Sequence, residues 1–360
     1  MAEQGHGGRA VSSALRALDV ENLFTLTGGH IFPILDGCHQ DGIRIVDFRH
    51  EQSATFAAEG WARLTRSLGV AALTAGPGIT NGMSALAQAS FNRAPVLVLG
   101  GRAPAFRWGQ GSLQEIDHVP FVNPIAPART VAPGDDIAGA VLGTGIDALT
   151  APRGPRFLDF PLDALFNMMD LPGQELVAPA IVQPDDDRIA AVASLLEQAE
   201  RPLLIAGSNV YMDGAEDALV ALVETAEIPT FVNGQGRGCI PADHRLSFAR
   251  SRSKAFKSAD LVIVAGTPMD FRLGFGQFEN AKVVHLDSHP DLIATHVDLA
   301  ASIGADLRST FAALSEAIAN APDTKGWVGE LRAVEDEKRD QVQAELGSDA
   351  RPIHPMRVYG

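Results

Sequence analysis

With 360 residues, 46% of them hydrophobic and 20% charged, the chain is not disordered, and its length corresponds to about two domains. A net charge of −15 excludes a non-specific nucleic-acid or anionic-membrane binder, because phosphate binding needs a cationic footprint. The two cysteines, Cys38 and Cys239, stand in no C-x-x-C and exclude a disulfide scaffold and a zinc knuckle.

The polar start, residues 1–9, is no apolar signal core, so the cytosol is the expected compartment. Val11–Leu18 has helical spacing, Leu23–Leu26 reads as a strand closed by Gly28-Gly29, and Ile43–Phe48 as a second strand. A helix is expected over Glu51–Arg66, a strand over Val70–Leu73 and a helix over Gly82–Phe91. Pro95–Leu99 reads as a strand ending at Gly100-Gly101, and Arg156–Phe160 as one stopped by Pro161. Ser67–Asn92 carries no charge, but Gly76, Pro77 and Gly78 break it, so it is a buried strand, turn and helix and not a membrane span.

Leu171–Asp187, with three prolines and a closing acid run, reads as a linker. Beyond it come strands at Pro202–Ala206, Ile228–Val232, Leu261–Ala265 and Lys282–Leu286, with helices near Ala215–Thr225 and Leu307–Ile318. Three strands end alike, in LTAGPG (73–78), LIAGSN (204–209) and IVAGTP (263–268): a buried strand turns at Gly so that backbone N–H groups face a crevice. Glu330–Glu345, dense in both charges, reads as a solvated helix or linker, and Pro352–Val358 begins something new. The expected class is α/β with two doubly wound, mostly parallel-sheet domains. They span 1–170 and 188–322, separated by the linker 171–187 and followed at 323–360 by a second linker and the start of a third domain.

Several motifs fail on inspection. Gly76-Pro77-Gly78 with Gly82 is spaced G-x-G-x-x-x-G, and no acid lies between Glu59 and Glu115 to hold a dinucleotide ribose. His50-Glu51 lacks the second histidine of a zincin, since position 54 is Ala, and no G-x-S-x-G elbow exists; no metal site is expected in this chain. Glu51 directly follows a strand, where a parallel sheet places its ligands; taken alone it also fits a helix start favoured by the macrodipole.

Gly28-Gly29, Arg49-His50-Glu51, Leu73–Gly78 with Asn81, and Gly111–Glu115 together resemble the pyrimidine-binding domain of thiamine-diphosphate enzymes, in the acetolactate synthase large-subunit-like group. GTPMDFRLGFG (266–276) and VVHLDSHP (283–290) resemble the central domain of that family, and the resemblance runs from about residue 10 to 320. It implies that Glu51 hydrogen-bonds the aminopyrimidine ring nitrogen and favours the imino tautomer, which takes the thiazolium C2 proton. It further implies that Gly28, Gly29, Gly76, Pro77 and Asn81 shape the pyrimidine pocket and that Gln114 faces the substrate.

The central domain would hold FAD in a structural role, or an ADP or CoA group, or nothing, with Gly207, Asn209, Asn233, Gly234, Arg272, Asp287 and Asp306 at matching strand ends. Arg272 is the candidate for a bidentate phosphate contact, or else a surface arginine beside the sheet edge. The basic group from Arg245 to Lys257 reads as a solvated face. Arg153 lies one place off the family's flavin-site arginine. The family's G-D-G and Asn, which hold Mg²⁺ and the diphosphate, have no counterpart, since Gly304-Ala305-Asp306 lacks the second Gly. A homodimer, a tetramer or a partner chain carrying that half is therefore implied, and this chain alone is expected to be inactive. The implied reaction is decarboxylation and carboligation of 2-oxo acids, pyruvate to acetolactate. The alternatives are a 2-hydroxyacyl-CoA lyase or oxalyl-CoA decarboxylase type, and a non-catalytic nucleotide-binding or interaction subunit.

Overall fold

The computed structural model describes residues 3–171, 173 and 178–359. The chain divides into two compact units, Met1–Ala180 and Ile181–Gly360. Of the expected linker, residues 172 and 174–177 lie outside the described residues.

The first unit holds a six-stranded sheet of β1 (Asn22–Leu26), β2 (Arg44–Asp47), β3 (Gly69–Leu73), β4 (Val96–Arg102), β5 (Ala128–Thr130) and β6 (Arg156–Pro161). Its order is β2-β1-β3-β4-β6-β5, and every pairing is parallel. Alternation along the strands decides which face each side chain serves. Val70 and Ala72 join a core under α1 (Gly7–Ala17) on one face. Ala71 and Leu73 join the core on the other face, under α2 (Glu51–Thr65) and α3 (Pro77–Asn92). A short antiparallel pair, Glu3–His6 with Met168–Leu171, lies apart from the sheet.

The second unit repeats the plan with β7 (Pro202–Ala206), β8 (Thr230–Val232), β9 (Ser247–Phe248), β10 (Leu261–Ala265), β11 (Lys282–Asp287) and β12 (Ala301–Gly304). The order is β9-β8-β7-β10-β11-β12, again wholly parallel. Leu204 and Ala206 face one core, Leu203 and Ile205 the other.

In an open parallel sheet, ligands lodge beyond the carboxyl ends of the strands where the winding direction reverses. Here those points fall between β1 and β3, and between β7 and β10.

Three expectations change. The third helix begins at Pro77 and not Gly82, because proline at the first helical turn has its φ already set and loses no hydrogen bond. β4 does not stop at Gly100-Gly101 but continues to Arg102. The charged segment read as a solvated helix or linker is a helix, α4 (Lys325–Leu346), whose first half is docked on the second unit. Trp327 and Leu331 enter its core, the Trp327 indole N–H donates to the Pro202 carbonyl at 2.9 Å, and Glu335 accepts the backbone N–H groups of Ala249, Arg250 and Ser251. No helix among the described residues is long and apolar enough to cross a membrane.

Candidate functional site

Glu51 opens α2, and His50 caps the helix by accepting the Gln52 N–H at 3.1 Å. The Glu51 residue is only 8% exposed. Its Oε2 accepts the side-chain N–H of Asn81 on α3 at 3.0 Å, while Oε1 accepts no hydrogen bond from any described residue. That oxygen has no donor within the protein and is not fully buried, so it opens to the crevice, where it can accept a ligand N–H. The space beside it exists because position 78 is Gly: a Cβ there would stand 3.6 Å from Oε1 and 2.9 Å from Thr74 Cγ2. The same two helices are bridged further along by the buried Glu59, which accepts Gln88 at 2.8 Å and Asn92 at 2.6 Å.

The winding reversal between β1 and β3 is built by Gly28 and Thr74. A Cβ on Gly28 would come within 2.4 Å of Thr74 Cβ, whereas one on Gly29 would meet no protein atom within 4 Å and would only fill the crevice. Thr74 Oγ1 lies 3.2 Å from His30 Nδ1. Burial pushes His30 below the usual histidine range, against an opposing hydrogen bond with the Leu113 backbone, and nearby His118 lowers it further. Gly76 takes φ +59 and ψ −113, a backbone open only to glycine, and Pro77 starts α3 from it. Glu51, Asn81, Gly28, Gly29, Gly76 and Pro77 therefore share one edge of the sheet.

Gln114 reaches the same edge from the loop after β4. It is exposed, has φ +55, and its carbonyl oxygen would be 3.0 Å from a Cβ at Gly76. Four residues on stands His118, which sequence reasoning passed over. Its Nε2 accepts the Gly76 N–H at 2.9 Å, and its Nδ1 faces Asp159 Oδ1 at 3.2 Å. Asp159 Oδ2 in turn accepts from Arg102 at 3.0 Å. The available signal was Asp159 itself, a lone acid inside the apolar strand Arg156–Pro161.

In the second unit Asn209 and Asp287 come together, the amide donating to Asp287 Oδ1 at 2.7 Å while the Ser288 N–H donates to the same oxygen at 2.8 Å. Gly207 packs against the β10 loop: a Cβ there would be 2.3 Å from Thr267 Cβ and 2.5 Å from the Gly266 carbonyl. Gly234, with φ +53, closes on Ser208, and the neighbouring Asn233 is 7% exposed with its side-chain N–H group buried and without a partner. Two residues are already engaged. Asp306 caps the helix Leu307–Ala317 by accepting from Ser309 at 2.8 Å, and Arg272 grips Asp270 through two nitrogens at 3.0 and 2.6 Å. Arg252 lies near Arg237 and Arg272, and burial followed by those two charges lowers its proton affinity. Among the described residues no group of three or more His, Cys, Asp or Glu could hold a metal ion.

Sequence comparison adds an independent line. The family described as "Thiamine pyrophosphate enzyme, N-terminal TPP binding domain" matches residues 5–121, and "Thiamine pyrophosphate enzyme, central domain" matches residues 189–314. The acetolactate synthase large subunit IlvG of Mycobacterium tuberculosis is 48% identical over 364 residues, 99% of this chain and 66% of its own length. The 2-hydroxyacyl-CoA lyase 2 proteins of Caenorhabditis elegans and Homo sapiens are 34% and 30% identical, covering 92% and 98% of this chain and 59% and 63% of their own lengths. The chain thus spans somewhat under two thirds of the relatives it matches.

Proposed function

The chain belongs to the thiamine pyrophosphate enzymes, with their N-terminal and central domains, and on that premise we propose that it serves acetolactate synthesis from 2-oxo acids such as pyruvate. When bound, thiamine diphosphate supplies the carbanion chemistry at its thiazolium ring. The observation that carries the reading is the unfilled acceptor at Glu51 Oε1 beside a glycine-lined space, which suits an aminopyrimidine ring nitrogen bearing a proton. Glu51 shares that proton, Asn81 fixes the carboxylate, and Gly28, Gly29, Gly76 and Pro77 leave room for a flat ring. Gln114, on the exposed loop over Gly76, faces the substrate.

Mg²⁺ and the diphosphate are assigned to a second protein surface, from a dimer or tetramer mate or a partner chain. In the central unit, the unpaired Asn233 donor and the Arg237, Arg252 and Arg272 group support an anionic nucleotide: FAD, ADP or a CoA group. Arg272 would exchange Asp270 for a phosphate there. Asn209, Asp287, Gly207, Gly234 and Asp306 belong to the same set of strand ends.

The test is product analysis on the enzyme that contains this chain, supplied with thiamine diphosphate, Mg²⁺ and pyruvate. Acetolactate, measured as acetoin after acid treatment, is the expected result. Cleavage of a 2-hydroxyacyl-CoA without any acetolactate would transfer the protein to the lyase reading. A flavin spectrum in the purified protein would select FAD.

A further inference from the structure

His118 and Asp159 lie at 1% and 0% exposure, yet neither has a part in the cofactor contacts above. Buried polar side chains of this kind are expected to be fully satisfied, and here the pattern of satisfaction is informative. The Gly76 backbone can only donate, so His118 Nε2 must accept, and the single proton of a neutral imidazole then resides on Nδ1. From there it is given to Asp159 Oδ1. Asp159 is held by Arg102, which also donates to Thr130 Oγ1 at 2.6 Å and stacks over Trp108 at 4.0 Å. Arg102, Asp159 and His118 thus form a chain of charge-assisted contacts that ends on one peptide N–H.

That peptide is the junction of the site. Gly76 is followed by the helix bearing Asn81, the partner of Glu51, and is overlain by Gln114. His118 ends the loop that carries Gln114. We infer that His118 is a positioning residue, locked by Asp159 as the Nδ1–H tautomer, which fixes the Gln114 loop in register with the Glu51 turn. The reaction-level part of this rests on the acetolactate synthase reading; the tautomer and the loop anchoring do not. Misplacing a substrate-facing group by about 1 Å costs up to about 100-fold in rate, so the anchor bears on substrate use more than on cofactor activation.

The tautomer is read first, by nitrogen-15 NMR of this chain. The expected result is an unprotonated Nε2, a protonated Nδ1 and a scalar coupling across the hydrogen bond between Gly76 N and His118 Nε2. A protonated Nε2 or absent coupling would overturn the assignment whatever the enzyme's activity. Loop order is read by tryptic cleavage after the exposed Arg107, which should accelerate in His118→Leu and return towards wild type in His118→Gln, whose side-chain oxygen can accept from Gly76. Asp159→Asn, which can present an N–H to Nδ1 and drive the wrong tautomer, should behave like His118→Leu.

In the enzyme that contains this chain, His118→Leu should lower kcat/KM for pyruvate about 10- to 100-fold while exchange of the cofactor C2 proton stays within a few-fold. Equal kcat/KM in wild type and His118→Leu would sink the inference while leaving the functional reading intact. A wild-type enzyme inert towards pyruvate would sink the reading instead. Should His118→Leu fail to fold, His118→Gln and Asp159→Asn carry the same comparison.

Discussion

The two winding reversals are built alike and finished differently. In each, a glycine after one strand packs on a threonine after its neighbour: Gly28 on Thr74, Gly207 on Thr267. What stands over the junction has opposite polarity. The first presents a carboxylate with an unfilled acceptor, Glu51 Oε1; the second has its carboxylate, Asp287, satisfied by Asn209 and Ser288, and instead leaves a buried donor on Asn233. One backbone plan can therefore favour a ring that gives a proton at one sheet and an acceptor-rich, phosphate-like group at the other. The fold supplies the crevice, and one or two side chains set the sign of what enters it.

The largest test of this contrast is Glu51→Gln in the enzyme that contains this chain. It keeps the shape and the room for Asn81 but cannot share a proton with the pyrimidine. Exchange of the cofactor C2 proton should slow by about 10²- to 10⁴-fold, and unchanged exchange would remove Glu51 from its role. The glycine junctions come next. Gly207→Ala and Gly28→Ala should each destabilise by about 1–3 kcal/mol, because the new Cβ meets Thr267 Cβ and the Gly266 carbonyl in one and Thr74 Cβ in the other, atoms that no side-chain rotation can move. Chemical denaturation measures both, and a cost confined to one of the two would break the parallel.

Smaller still, Asn233→Leu removes a buried donor that the protein leaves unpaired. The chain without ligand should gain about 1 kcal/mol, while retention of any nucleotide by the second unit falls. A variant that loses stability shows that the donor is satisfied within the protein.

Acid separates the units most gently. His30 in the first is held below its ordinary value, so its contribution is present above about pH 6.5 and is lost as pH falls through the lowered folded value. For Glu335 in the second, burial raises the pKa, but the N–H groups of Arg250, Ser251 and Ala249 outweigh it and leave the carboxyl below its ordinary range. That contribution is complete above about pH 4.3 and disappears only in stronger acid. Hydrogen exchange followed from neutral to acid pH should loosen the region around His30 before the Glu335 helix; the reverse order would contradict both assignments.

Strands, their glycine ends and the position of Glu51 were legible in the sequence because each is a local signal. Four things were not. Gly100-Gly101 looked like a strand end, yet these glycines are needed inside β4 because Phe157 and the His30 backbone occupy the space where a Cβ would go, at 2.6 and 2.7 Å. The charge density of α4 hid an inward stripe of Trp327, Leu331 and Glu335, four residues apart, in which an acid serves as an anchor. His118 and Asp159 are 41 residues apart in sequence, and nothing local announces a hydrogen bond that only the folded sheet creates. Arg272 was legible as a cation but not as one already gripping Asp270.

The paired helices α2 and α3 carry one further consequence. Asn81, Gln88 and Asn92 must all point at glutamates of the facing helix, so α3 is constrained in rotational phase as well as in composition. Each residue turns a helix by about 100°, so a single insertion or deletion between positions 81 and 88 would swing one set of amides out of reach of its acid. Length variation should therefore be barred from this segment in any library of natural or selected variants, even where its individual residues are free to change.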